Sequence, residues 1–295
     1  MKLLVLGSNG QLGRCLNDQL AKTDYEVVYT SREQIDIANF EETKVAILKI
    51  APEVIINAAA YTAVDKAEEE LEQVNLINHL AVANIADICQ KLNCWLIHLS
   101  TDYVFDGNSK SPYKEKDQTN PQGFYGQTKL HGEFAIQLSN CNYIIIRTAW
   151  VYSEYGNNFL KTMLRLGKER DELDIVGDQI GCPTYAQDIA IAIAKIIPQL
   201  DHREDQIGIY HYCGAKKCSW YEFSKDIFEN AKKLGFPTPS VLNSIETADY
   251  PTPSKRPFYS VMNNKKIIKE FGVLPSDYLD GISCVLQKIC SSKES

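Results

Sequence analysis

Residues 3–6, Leu-Leu-Val-Leu, run directly into Gly7-Ser8-Asn9-Gly10-Gln11-Leu12-Gly13 and then into a helical pattern over 11–20. This junction constrains the fold more than any other feature of the chain. The glycine spacing is G-x-x-G-x-x-G, not the commoner G-x-G-x-x-G, but the tasks are shared. Gly7 lets the chain turn tightly, Gly10 removes a side chain where a pyrophosphate must approach the backbone, and Gly13 lets the helix pack close to the strand. The helix amino terminus then favours phosphate charge. A strand–glycine loop–helix unit of this kind belongs to an α/β fold that binds a dinucleotide.

The pattern that follows supports this. Apolar, β-rich runs at 26–29, 54–57, 95–99 and 143–147 alternate with helical patterns at 40–50, 71–92 and 124–138. Several runs are almost wholly apolar, as in a parallel sheet covered on both faces. The expected fold is a Rossmann-type, doubly wound parallel sheet over residues 1–150, with a smaller carboxyl-terminal α/β substrate-binding region over 151–295. Some later segments are expected to return to the first domain. Beyond about residue 149 the regularity weakens. Helices are expected at 159–168, 188–197 and 220–234, with a short strand at 173–176 and a charged surface loop at 201–206. Pro237, Pro239, Pro251, Pro253 and Pro257 make the next stretch too irregular for a core element, leaving a linker or a loop closing over a substrate.

Composition narrows the function. With 31 Lys plus Arg against 38 Asp plus Glu, the net charge is −7, which argues against non-specific nucleic-acid binding. No apolar run reaches the length of a membrane span, and the opening run is too short for a secretory signal, so a cytoplasmic location is expected. The nine cysteines are irregularly spaced without any C-x-x-C, as expected for reduced, mostly buried thiols rather than a disulfide or metal framework.

Two sites carry chemistry. The second strand ends in Thr30-Ser31-Arg32, with no carboxylate at its tip to receive a ribose 2′-hydroxyl. Arg32 is placed to pair with a 2′-phosphate, which favours NADPH, with NADH as the alternative. The second site is Tyr125-Gly126-Gln127-Thr128-Lys129, where Tyr and Lys share one helical face. An ammonium beside a phenol is expected to lower the tyrosine pKa, and the phenol then exchanges a proton with a carbonyl oxygen. Ser100 and Thr101 close the fourth strand, where a hydroxyl can bond the same carbonyl.

Longer strings make the pattern specific: NAAAYTAVDKAE at 57–68, STDYVFDG at 100–107, YGQTKLHGE at 125–133, RTAWVY at 147–152, GNNF at 156–159, DQIGCPT at 178–184, SWYEF at 219–223 and KRP at 255–257. Spread over most of the chain, they resemble the extended short-chain dehydrogenase/reductase superfamily and, within it, the dTDP-4-dehydrorhamnose reductase family. The resemblance implies reduction of the 4-keto group of a dTDP-linked deoxysugar for surface polysaccharide. It implies a catalytic set of Thr101, Tyr125 and Lys129. It also implies cofactor contacts from Gly10, Gln11, Leu12, Asp36, Ile37, Ala59, Ala60 and Tyr61. Substrate contacts are implied for Thr101, Asp102 and Trp150, the last covering an apolar sugar face, and for Asn158. Arg256, with Lys161 behind it, is the candidate cation for the diphosphate. Some relatives dimerise through a metal, but the matching positions here are Cys15 and Gln187, poor ligands for a hard cation. No metal is therefore expected, and the chain is expected to be a monomer or weak homodimer. Two other readings remain at this stage: an epimerase or dehydratase of the same fold, and a non-catalytic cofactor-binding subunit. The intact Thr101, Tyr125 and Lys129 weigh against the second.

Overall fold

The computed structural model describes residues 1–200 and 206–291. Six parallel strands form the central sheet: β1 (Lys2–Leu6), β2 (Glu26–Thr30), β3 (Val54–Asn57), β4 (Trp95–Thr101), β5 (Asn142–Thr148) and, from the carboxyl-terminal part of the chain, a further strand Gly208–His211. Across the sheet the order is β2, β1, β3, β4, β5 and then Gly208–His211. The chain leaves β1 toward one edge and returns at β3 toward the other. Their carboxyl ends therefore diverge, which is where open α/β sheets leave a crevice.

Alternation along the strands assigns the two faces. Leu3, Val5, Ile56, Ile97, Ile144 and Ile146 point to one side, and Leu4, Leu6, Ile55, Leu96 and Ile145 to the other, all fully buried. The second face is covered by α2 (Phe40–Ile50), by a long helical segment of α3 (Leu71–Asn75), a π turn at Leu76–Leu80 and α4 (Ala81–Leu92), and by α5 (Phe124–Leu138). The first face is covered by α1 (Gln11–Leu20) and by an apolar helix from later in the chain. Before that helix come β6 (Val151–Tyr152), α6 (Phe159–Glu169), β7 (Glu172–Val176), β8 (Ile180–Gly181) and β9 (Thr184–Tyr185). The helix itself is α7 (Ala186–Ile196), whose Ile189, Ile193 and Ile196 lie beside Leu16 and Leu20. Gly208–His211, now β10, and α9 (Lys265–Phe271) complete this layer.

Three segments from beyond residue 150, α7, β10 and α9, are built into the first layer system. A separate apolar cluster joins α6, β7, β11 (Cys218–Ser219), α8 (Trp220–Lys233) and α10 (Tyr278–Ser291), around Tyr152, Phe223, Ile227 and Ile282. The proline-rich stretch is also corrected. Within it Val241–Ile245, β12, pairs in parallel with β7, because its prolines flank the five residues and leave their N–H groups free for the ladder. Of the expected loop at 201–206, residues 201–205 lie outside the described residues. Gln206 is buried, with its side-chain amide on the Gln199 carbonyl, so the exposed loop does not extend to it.

Candidate active site

The crevice at the β1/β3 divergence is a cavity of about 540 Å³ lined by Gly7, Gly10, Arg32, Asp36, Ala59 and Tyr61 among others. The three glycines differ in what they do. Gly7 has φ +79°, and a Cβ there would lie 2.7 Å from the Ala59 nitrogen. A Cβ on Gly13 would lie 2.2 Å from the Gly7 carbonyl oxygen. Gly10 alone has room, its Cβ position meeting only that carbonyl, at 3.3 Å. Gly7 and Gly13 therefore shape the loop, and Gly10 leaves the crevice wall bare at the amino terminus of α1. A dinucleotide fits this wall.

Around the rim, Asp36 pairs with Arg32 at 3.4 Å, and Arg32 is largely exposed. The strand tip itself has no carboxylate, but the chain turns back after β2 and brings Asp36, four residues on, beside Arg32. Ile37 is buried beneath the rim. Tyr61 is held by its backbone: its N–H donates to Asn78 Oδ1 at 2.9 Å and its carbonyl accepts from Asn78 Nδ2 at 3.1 Å. Asn78 lies in the π turn that interrupts the helix expected over 71–92. Gly132 on α5 allows the approach, since a Cβ there would lie 2.4 Å from the Asn78 carbonyl oxygen. A π turn shifts the register by one residue and aims a side chain that a regular helix would not.

Gln11, at the start of α1, accepts from Ser153 Oγ at 3.0 Å and from Asn158 Nδ2 at 2.9 Å. Asn158 also donates to the Ser153 carbonyl and caps α6 through Lys161 N–H. Its amide is held by these protein partners, which tie the start of α6 to the start of α1. Leu12 packs against the core.

Thr101, Asp102, Tyr125 and Lys129 converge at the carboxyl end of β4 and the first turns of α5, and all are buried. Thr101 Oγ1 donates to Asp102 Oδ1 at 3.0 Å and accepts from Tyr103 N–H at 3.2 Å. Asp102 Oδ2 is buried without a hydrogen bond. Burial pushes the Asp102 carboxyl up to about 6. Burial, seconded by the Asp102 charge, pushes the Tyr125 phenol up to about 12, while contact with Thr101 opposes both. This reverses the lowering expected from Lys129. The Lys129 ammonium is itself buried and pulled down to about 8, and Nζ turns to the Leu99 carbonyl at 2.6 Å and His98 Nε2 at 3.3 Å. Ser100, the other strand-end hydroxyl, is spent on Glu133, which also holds Arg147 through two hydrogen bonds of 2.9 and 2.6 Å.

The remaining candidates stand at the lobe boundary. Trp150 follows β5 with φ +50°, a conformation costly for a bulky residue. Its ring stacks on Trp220 at 3.4 Å, and a Cβ on Gly181 would lie 2.3 Å from it. One face of the indole is therefore covered by protein. Arg256 places Nη1 and Nη2 on Asp65 at 3.0 and 2.8 Å, joining the proline-rich stretch to the loop after β3. Lys161 donates to the Glu154 carbonyl. Cys15 is fully buried, its thiol pushed up by desolvation, and Gln187 donates to Gln19. These two positions do not fit a divalent cation, and among the described residues no cluster of three metal-ligating side chains occurs.

Residue-level reasoning missed Asn57, Asp65, Asn78, His98 and Glu133. Their signal was polarity in apolar surroundings: Asn57 and His98 end or interrupt strands that are otherwise aliphatic.

A dinucleotide crevice beside a buried Thr-Tyr-Lys set on this sheet order defines an oxidoreductase of the extended short-chain dehydrogenase/reductase class. Comparison with known proteins is specific. The family model described as RmlD substrate binding domain matches residues 1–291. The dTDP-4-dehydrorhamnose reductase of Escherichia coli (strain K12) is 40% identical over 293 residues, 98% of each chain. The structure of a dTDP-4-dehydrorhamnose reductase from Clostridium acetobutylicum superposes with a TM-score of 0.91 at 38% identity, covering 98% of this chain and 100% of that one. The Bacillus anthracis enzyme, solved in complex with NADP, gives 0.90 at 34% identity, covering 97% and 99%. The chain belongs to the dTDP-4-dehydrorhamnose reductase family.

Proposed function

We propose that this protein reduces the 4-keto group of dTDP-4-dehydro-β-L-rhamnose to give dTDP-L-rhamnose, using NADPH, as a step in nucleotide-sugar synthesis for surface polysaccharide. The observation that carries the reading is the buried Thr101–Asp102–Tyr125–Lys129 group at the end of β4, beside a crevice whose wall is bared at Gly10. Gly7, Gly10, Gln11, Leu12, Gly13, Arg32, Asp36, Ile37, Ala59, Ala60, Tyr61, Tyr125 and Lys129 would hold the dinucleotide. NADPH, when bound, supplies hydride to the carbonyl carbon.

The protein supplies the rest. Reduction needs an acid at the carbonyl oxygen, and a phenol held near 12 keeps its proton until an alkoxide forms. Thr101 reaches the same oxygen by turning its one hydroxyl proton from Asp102 Oδ1 to the carbonyl. Asp102, buried beside Thr101, orients that hydroxyl through Oδ1. Trp150 on its Trp220 support, together with residues of the α6–α8–α10 cluster, would form the wall of the substrate lobe. Arg256 reaches a diphosphate only by sharing or leaving Asp65.

The test is loss of NADPH absorbance with freshly prepared dTDP-4-keto-6-deoxysugar that has first been epimerised. Turnover is expected with wild type, and Tyr125→Phe should lower kcat by about 10²-fold or more, the scale of general acid catalysis. NADPH binding should be nearly unchanged in that variant, since one hydroxyl is removed. Near-normal turnover by Tyr125→Phe would end the assignment.

A further inference from the structure

Arg256 and Asp65 meet across the two lobes at two points, Nη1 on Oδ1 at 3.0 Å and Nη2 on Oδ2 at 2.8 Å. The reading above offers Arg256 to a diphosphate and leaves Asp65 without a task. Asp65 belongs to the loop after β3, whose neighbouring residues Ala63 and Lys66 line the dinucleotide crevice. The Arg256 charge reaches the Tyr103 phenol. The Tyr103 ring in turn meets the Tyr125 ring edge-on, with centroids 5.5 Å apart. Tyr103 thus links the pair to the catalytic tyrosine.

The backbone that follows Arg256 is pinned. A Cβ on Gly107 would lie 2.5 Å from Pro257 Cβ, so Pro257 occupies the space that this glycine leaves. Tyr259 N–H donates to the Gly107 carbonyl at 3.1 Å. Ile180 N–H donates to the Phe258 carbonyl and Ser260 N–H to the Ile180 carbonyl, both at 2.8 Å. What can swing is the Arg256 side chain. The pair it would leave is partly open to water, with side-chain exposures of 27% and 41%, whereas the Arg147–Glu133 pair is closed at 2% and 0%. Breaking a buried pair strands a charge, but an exposed pair returns both partners to water at little loss. A planar guanidinium fork fits two oxygens of a phosphate as well as those of a carboxylate. Holding both anions on one fork would set like charges side by side.

We propose that Asp65 is an affinity-setting residue for the nucleotide sugar: it holds the Arg256 fork in the free protein and yields it to the incoming diphosphate, so that binding exchanges one anion for another. This rests on the nucleotide-sugar reading and deepens it. The diphosphate is the same group in substrate, transition state and product. Its hold on Arg256 is therefore uniform binding, which lowers KM without raising kcat. Asp65 subtracts from that hold equally at every stage, and the product leaves more readily.

The test is calorimetric titration of the protein with dTDP, without NADPH and without turnover. Asp65→Asn keeps the size of the side chain and removes its charge. It is expected to tighten dTDP about two- to fivefold, the scale of an exposed ion pair, and Arg256→Met is expected to weaken it. In the Arg256→Met background the gain from Asp65→Asn should vanish. Unchanged or weaker dTDP binding by Asp65→Asn overturns the proposal. A gain that persists in full without Arg256 overturns it too, as does dTDP binding that Arg256→Met leaves unweakened. In turnover, Asp65→Asn should lower the KM for nucleotide sugar by a similar factor without raising kcat, and a KM that is unchanged or raised overturns the exchange. Thermal melts of the free variants report their folding; should Asp65→Asn melt far below wild type, Asp65→Ser is titrated in its place. Absence of NADPH oxidation by wild type would instead overturn the reductase reading, and the dTDP titrations would still decide the exchange.

Discussion

Asp102 shows how the site spends stability on chemistry. Its carboxyl is buried, one oxygen bonded to Thr101 and the other unpaired, and it is pushed up from the ordinary value near 4 to about 6. The folded state then binds the proton more tightly than the unfolded chain, so this group's contribution is intact below about pH 4 and declines as pH rises to about 6. Asp102→Asn should therefore be near-neutral for stability at pH 4 and stabilising at pH 7 by up to about 2–3 kcal/mol, as two pKa units imply. Denaturant unfolding of both proteins across that range checks it; an equal difference at the two pH values would show that Asp102 carries no such strain. Arg32 is a smaller effect. Exposed and already paired with Asp36, it should favour NADPH over NADH modestly. Arg32→Ala is expected to weaken NADPH about two- to fivefold, the scale of an exposed ion pair, with NADH unchanged. Fluorescence titration with both nucleotides decides it, and equal losses would make Arg32 a bystander.

At the scale of elements, the β1–loop–α1 unit separates folding from binding. Gly13→Ala drives a methyl to within 2.2 Å of the Gly7 carbonyl oxygen and should cost about 1–3 kcal/mol, as overpacking does. Gly10→Ala meets nothing closer than 3.3 Å and should melt within a few degrees of wild type while losing nucleotide affinity. Thermal melts with and without NADPH distinguish them; a Gly10→Ala protein still stabilised by nucleotide would place the pyrophosphate elsewhere. The strands of the first half were legible because a parallel sheet covered on both faces forces aliphatic runs, and β3 and α2 fall at the residues that pattern marked. The element missed at Gly208–His211 is short, begins with glycine and ends with histidine, so periodicity gave no signal. Val241–Ile245 was hidden by its prolines. The π turn was invisible because its cause, the backbone of Tyr61, lies 17 residues from Asn78 in sequence.

Across the whole molecule, two clasps tie the carboxyl-terminal lobe to the dinucleotide half: Asn158 on Gln11 and Arg256 on Asp65. Cys15 is a buried thiol and Gln187 an uncharged amide, neither offering a hard cation an anionic oxygen, so we expect a monomer or weak dimer whose mass by light scattering is the same with and without EDTA. A dimer that dissociates on chelation would require ligands other than these. Among the described residues no helix is long and apolar enough to cross a membrane. By itself the sequence determined the glycine loop, the aliphatic strands, the helical faces and the placing of Tyr125 and Lys129 on one helical face, because each is written in neighbouring residues through spacing and period, whereas Thr101 was singled out from Ser100 by the family resemblance alone. Tertiary structure decided the rest: that α7 and β10 return to the first sheet, that Trp150 is already stacked and Arg256 already paired, and that Tyr125 is held as an acid rather than pushed toward phenolate. Those outcomes depend on which distant groups share a buried volume, and burial sets the cost of charge there more strongly than any neighbour along the chain.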